Sequence, residues 1–180
     1  MLQSAIVIEL PRMDALVDVR QRFARDARVG VPPHITVLFP FVGVSRLDAH
    51  DLARLNEAVN VVPAFGFALT QTRWFGESVL WLAPDDPEPF LTLMRTVAAA
   101  FPQCVPYGGA HDRVVPHATV GDAASPEELR AAEQHISGAL PLYGRATEVS
   151  LLVEADDGRW SVRERFPLAP SLPWICDRLP

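Results

Sequence analysis

The chain has 180 residues, 49% hydrophobic and 21% charged, with 22 acidic against 16 basic side chains and a formal net charge of −6. That size and balance predict a single globular domain with a sizeable core, and they argue against generic binding of long duplex nucleic acid, which depends on neutralising many phosphates. All sixteen basic residues are arginine, so no lysine is available as the nucleophile of an adenylate-type ligase.

Residues 5–10 alternate weakly and read as a strand, ended by Pro11 and Arg12. Leu16, Val19 and Phe23 then recur every three to four residues, which predicts an amphipathic helix over 14–26 with Arg20, Arg22, Arg25 and Arg28 on its solvated side. Gly30 to Pro33 stop this helix and lead into Val31-Pro32-Pro33-His34-Ile35-Thr36-Val37, a β-branched stretch that reads as a strand beginning just after the proline. Phe39 and Phe41 follow; they either line a site, where they would stack on a base, or belong to the core.

A second amphipathic helix is predicted over 47–59, with Leu52, Leu55 and Val59 inward. His50-Asp51 in its first turns is not a metal pattern by itself. Residues 65–73 and 78–83 read as a hairpin around Gly76. Leu91, Met94, Val97 and Ala98 mark a third helix over 89–101. A loop over 102–113 carries Gly108-Gly109 and leads to Val114-Val115-Pro116-His117-Ala118-Thr119-Val120. His111 in this loop reads as an exposed histidine. Ser125-Pro126-Glu127-Glu128 is a helix start, with a capping serine, proline at the first position and acids in the first turn. That helix runs to about Ser137, with His135 as a structural residue. Residues 146–153 and 159–166 form a last strand pair around Asp156-Asp157-Gly158. Residues 167–180 hold four prolines and read as a surface tail.

The two heptads at Val31 and Val114 lie 83 residues apart and agree at five of seven positions. A lone His-x-Thr would arise roughly 0.2 times in such a chain by chance, so a single copy carries little. Two in the same context are much harder to dismiss. In a strand, residues i and i+2 share a face. His34 therefore points with Thr36, and His117 with Thr119, while Ile35, Val37, Ala118 and Val120 face the other side. Two imidazoles can divide acid and base roles near neutral pH. Two hydroxyls can donate to charged oxygens. Brought face to face, the four groups are equipment for cleaving a phosphodiester without a metal.

At these residues the chain resembles the 2H phosphoesterases, the superfamily that includes bacterial 2'-5' RNA ligase-like proteins and RNA 2',3'-cyclic phosphodiesterases. Its mark is a pair of His-x-Thr/Ser-x motifs followed by apolar residues, and Pro33-His34-Ile35-Thr36-Val37-Leu38-Phe39-Pro40-Phe41 is a close match. Trp74-Phe75 followed by Ser78 to Pro84 is similar to the family's central strand pair, and so is Phe101-Pro102 leading to Tyr107-Gly108. The resemblance covers Ser4 to Leu168. It identifies the superfamily well and separates its substrates poorly. It implies an α+β fold of two pseudo-twofold-related lobes, each an antiparallel sheet with outer helices, and an active-site cleft between them. The element order agrees, since the β-α-β-α-β-β of the first half is nearly repeated in the second.

The expected organisation is one bilobal domain over 1–168 and a proline-rich tail over 169–180. The expected catalytic residues are His34, His117, Thr36 and Thr119. Arg73, on a strand that edges the cleft in the resembled fold, is a candidate phosphate contact. Tyr107 and Arg113, in the loop before the second motif, are candidate substrate contacts, and Phe39 a candidate base contact. No cofactor and no metal are implied. The expected substrate is a short RNA end or a small cyclic nucleotide. The reaction would be hydrolysis of a 2',3'-cyclic phosphate or 2',5' linkage, with ligation as its reverse. Two alternatives stay open: a module that binds a nucleotide or RNA end without turning it over, and a phosphodiesterase for a non-RNA cyclic phosphate metabolite. No stretch of about 18 apolar residues suggests a membrane span, and residues 1–11 lack the basic opening of a secretory signal; a cytoplasmic monomer is expected. Cys104 and Cys176, the only two cysteines, form neither a disulfide framework nor a zinc pattern and read as reduced thiols.

Overall fold

The structure, a computed structural model, describes residues 2–10, 13–110 and 113–171. Pro11, Arg12, His111, Cys176 and the tail from 172 onward lie outside the described residues.

Eight strands and four helices are described: β1 (Ser4–Glu9), α1 (Asp14–Phe23), β2 (His34–Leu38), α2 (Ala49–Val59), β3 (Phe65–Phe75), β4 (Val79–Pro84), α3 (Glu88–Ala100), β5 (Ala118–Gly121), α4 (Pro126–Ser137), β6 (Leu142–Ala146), β7 (Glu148–Glu154) and β8 (Trp160–Pro167). The strands form two antiparallel sheets, in the orders β2-β1-β7-β8 and β5-β4-β3-β6. The two motif strands, β2 and β5, are each the edge strand of a sheet, and they lie against one another.

The lobes do not correspond to the halves of the chain. The first sheet joins β1 and β2 to the final hairpin β7–β8, and the second joins the hairpin β3–β4 to β5 and β6. The chain changes sheets at Thr147: Ala146 pairs with Phe65 in one sheet, and Glu148 pairs with Pro167 in the other. The strand read over 146–153 is two strands, and β6 extends back to Leu142, where the sequence reading has no element. Its residues, Leu142-Tyr143-Gly144-Arg145-Ala146, place an apolar Tyr143 on the exposed side and a strand-weakening glycine on the inner side, so the alternation in their burial is not written in their polarity. Gly144 is needed because a Cβ there would lie 2.4 Å from the Phe67 ring.

The helices cross between lobes. α1 follows β1 of the first sheet but packs on β5 of the second, and α3 follows β4 of the second but packs on β2 of the first. α4 joins α1, and α2 joins α3. The main core lies between the helices and the outer faces of the sheets, and includes Ile35 and Val37 from the first motif strand and Ala118 and Val120 from the second. Phe90 meets Phe65 and Phe67 edge-on at 5.0 and 5.1 Å, and Phe41 meets Phe101 at 4.7 Å, the geometry aromatic quadrupoles prefer. The helix start at Ser125 is realised as a capping box with Glu128, and α2 opens with a second capping box, Asp48 with Asp51. Asp51 is thereby committed to a helix cap, and His50 beside it is exposed. Cys104 is a buried free thiol. Residues 167–169 are packed against the fold: Leu168 is buried, and Ala169 exchanges backbone hydrogen bonds with Val62 and Ala64. No helix among the described residues is long and apolar enough to cross a membrane.

Candidate active site

His34 opens β2, and its backbone neighbour across the sheet is Glu9; Thr36 pairs with Val7. In the second lobe Thr119 pairs with Trp81, which pairs in turn with Arg73. Antiparallel partners project to one face, so each motif presents its histidine and threonine away from the helices and toward the space between the sheets.

The two imidazoles are held in the same way. Nδ1 of His34 donates to the carbonyl of Pro32 at 2.8 Å, and Nδ1 of His117 donates to the carbonyl of Val115 at 2.7 Å. A carbonyl can only accept, so Nδ1 carries the proton in both rings. Each Nε2 is thereby left as the nitrogen that can gain or lose one.

Their surroundings differ. Burial pushes the pKa of His34 down to about 4, helped by the Arg20 guanidinium and by the charge of His117, and opposed by Asp26 and by the Pro32 hydrogen bond. His34 is therefore neutral at pH 7 and close enough to His117 to feel its charge. His117 instead stands edge-on to two aromatic rings, Phe75 at 5.1 Å and Trp81 at 5.8 Å, which themselves stack at 4.7 Å.

Arg20 joins the two motifs. It is only 1% exposed, and its Nη1 donates to the carbonyl of Thr119 at 2.5 Å while its Nη2 donates to Asp26 Oδ1 at 2.6 Å. This corrects the expectation that Arg20 lies on a solvated face. It falls four residues after Leu16 and one after Val19, which places it within the buried stripe of α1. The seam between α1 and the second motif is closed further on. Asp122 and Ala123 both donate their amides to the Phe23 carbonyl at 2.9 Å, and Asp122 accepts from the Arg25 amide at 2.7 Å. Arg20 Nε and Trp81 Nε1 are buried donors without a hydrogen-bond partner among the described residues, and both belong to neighbours of Thr119.

The other expected contacts are placed unequally. Tyr107 is mostly buried, its amide donates to the Phe39 carbonyl at 2.6 Å, and its hydroxyl is hydrogen-bonded to Thr36; burial raises its pKa and the Thr36 bond opposes that. It is also the one described non-glycine residue with positive φ, at 51°. Such a conformation persists only where surrounding structure holds it. Arg73 is exposed, on the same face as Thr119 and two strands away, roughly 10 Å between backbones; its Nη2 donates to Gln71 at 2.8 Å. Arg113 is exposed four residues ahead of His117, at the edge of the described segment. The two aromatics that leave β2 separate: Phe41 is buried in the main core, and Phe39 borders a cavity of about 210 Å³ that His34 and Thr36 also line. Asp26 and Trp160, two further residues of that cavity, were not anticipated.

Residues 9–158 match the sequence profile of a family described as the 2'-5' RNA ligase superfamily. The chain belongs to that superfamily. Its fold is shared with several solved structures. It resembles Escherichia coli LigT without ligand at 19% identity, TM-score 0.58, over 93% of this chain and 98% of that one. It resembles protein TT0787 of Thermus thermophilus at 19% identity, TM-score 0.64, over 94% and 100%. A third structure is E. coli LigT complexed with 3'-AMP, at 20% identity and TM-score 0.57, over 93% and 98%. No curated protein is matched by the sequence. The family match agrees with the superfamily that the paired motifs resemble.

Proposed function

We propose that the protein is a metal-independent phosphodiesterase for 2',3'-cyclic phosphates or 2',5' linkages in short RNA ends or small nucleotides. The observation that carries this reading is the matched pair of imidazoles, each with Nδ1 anchored to the carbonyl two residues earlier in its own motif, which fixes both rings in the same tautomer.

In the hydrolytic direction, His34 is the base. It is neutral at pH 7, and its Nε2 takes a proton from the attacking water as the water oxygen bonds to phosphorus. His117 is the acid. Its Nε2–H gives a proton to the ribose oxygen as the P–O bond breaks, and the Phe75 and Trp81 rings beside it hold the imidazole in place. The hydroxyls of Thr36 and Thr119 donate to the non-bridging oxygens, where charge develops. Ligation of a cyclic phosphate by a 5'-hydroxyl would exchange the two roles. The E. coli LigT complex contains 3'-AMP, which has the composition of a hydrolysed adenosine cyclic phosphate. That favours a small nucleotide or an RNA end over duplex, as does the net charge of −6.

Incubation in EDTA with 2',3'-cyclic nucleotides and with short RNAs ending in cyclic phosphate tests this. Conversion to a 2'- or 3'-phosphate is expected. Activity that vanishes in EDTA and returns with a divalent ion would overturn the reading. Tight binding with no product over hours would favour a binding module instead.

A further inference from the structure

The cavity beside His34 has two unlike walls. Its floor is apolar, formed by Ala5, Val7 and Leu152, which are buried in a small cluster separate from the main core. Phe39 and Trp160 stand over this floor with ring centres 6.3 Å apart and planes tilted by 59°, so neither covers the face of the other. Among the described residues that line the cavity, Asp26 is the only carboxylate. Its Oδ1 accepts from Arg20, while no hydrogen bond to Oδ2 occurs among the described residues, and the side chain is 36% exposed.

These walls are fixed with respect to each other. The turn carrying Asp26 is closed by hydrogen bonds from the Val31 and Gly30 amides to the Asp26 and Ala27 carbonyls, at 3.1 and 3.2 Å. Gly30, at φ 95°, lies so close to β8 that an added Cβ would be 2.9 Å from the Trp160 carbonyl oxygen. Only glycine accepts both the left-handed backbone and that approach.

We propose that this cavity is a single-base pocket that selects nucleobases carrying an exocyclic amine, with Trp160 and Phe39 as its stacking surfaces and Asp26 as the acceptor of the amine. The inference rests on the reading of His34 and Thr36 as the pair that handles the phosphate. At about 210 Å³ the cavity is smaller than the roughly 300–1,000 Å³ that encloses a drug-sized ligand, so it takes one flat ring system and not a dinucleotide. Aromatic stacking tolerates every base and cannot by itself discriminate. A carboxylate can. It only accepts hydrogen bonds, so it pairs with the N4 amine of cytosine or the N6 amine of adenine and is repelled by the O4 of uracil or the O6 of hypoxanthine.

The test uses isosteric pairs and a readout independent of turnover. Dissociation constants of the wild-type protein for 3'-CMP and 3'-UMP, and for 3'-AMP and 3'-IMP, would be measured by calorimetry. Cytosine over uracil and adenine over hypoxanthine, each by about tenfold or more, are expected. Asp26→Asn replaces an acceptor by an amide that also donates, so it should bring both ratios to near one or invert them. Trp160→Leu should weaken all four nucleotides together with the ratios kept, and Trp160→Phe should restore much of the loss. Equal affinities within each pair, a preference untouched by Asp26→Asn, affinities unchanged in Trp160→Leu, or no binding of any of the four would each overturn the proposal. A retained amine preference without turnover of any cyclic substrate would leave the pocket standing and remove the catalytic reading.

Discussion

Arg20 on the first helix donates to the carbonyl of Thr119 in the second motif, 99 residues away in the chain, at 2.5 Å. The same guanidinium holds Asp26, which lines the cavity of His34 in the first motif. One buried side chain therefore sets both the spacing of the two motifs and the charge beside one of their histidines.

The pH dependence of activity should report this. The base, His34, must be neutral, so activity should rise with pH through the folded pKa of about 4. The acid, His117, must be protonated, so activity should fall again at higher pH and give a bell. Arg20 lowers the His34 pKa and Asp26 raises it. Asp26→Asn should move the acidic limb down, and Arg20→Met should move it up. Rate profiles of the two variants that shift in the same direction would contradict this electrostatic account.

Stability should follow the same group. The folded-state pKa of His34 lies below its ordinary 6.5, so between pH 6.5 and about 4 the unfolded chain binds a proton that the folded one does not. Stability is thus lost as pH falls through that window, by at most about 3 kcal/mol. Urea unfolding at pH 7 and pH 4.5 should show a smaller drop for His34→Gln than for the wild type.

The threonines should be distinguishable from the histidines by size of effect. A hydrogen bond to a charged oxygen contributes about 1.5–3 kcal/mol, so Thr36→Val or Thr119→Val should each lower kcat/KM roughly 10- to 100-fold. Tyr107→Phe removes only the hydroxyl bonded to Thr36 and should cost less than Thr36→Val. A larger loss in Tyr107→Phe would mean that the phenol itself meets the substrate.

The end of the second motif strand leaves no room for a side chain. A Cβ on Gly121 would lie 2.6 Å from Leu129 Cδ2 and 2.8 Å from Phe23 Cβ. Gly121→Ala should destabilise the protein by about 1–3 kcal/mol through overpacking, read as a lower midpoint in urea with an unchanged slope.

The paired motifs were legible because a period of two fixes which residues share a face, and His34 with Thr36 and His117 with Thr119 obey it. The strong helix start at Ser125 and the hairpin around Gly76 were legible for equally local reasons. Arg20 was misread although its signal was present, since its spacing from Leu16 puts it on the apolar stripe and its charge alone suggested solvent. Trp160 and Asp26 carried no such signal. They reach the cavity through pairing between β1, β7 and β8 and through a short 3₁₀ turn, and long-range pairing of that kind leaves no periodic trace in the residues it brings together. The exchange of strands between lobes at Thr147 is of the same kind.

The most direct test of the central claim is turnover of a 2',3'-cyclic nucleotide in EDTA by wild type, His34→Ala and His117→Ala, with folding checked by circular dichroism. Wild-type conversion with a loss of about 10²–10⁴-fold in each single variant is the predicted result. Wild-type turnover that either folded variant retains would contradict catalysis by the two histidines.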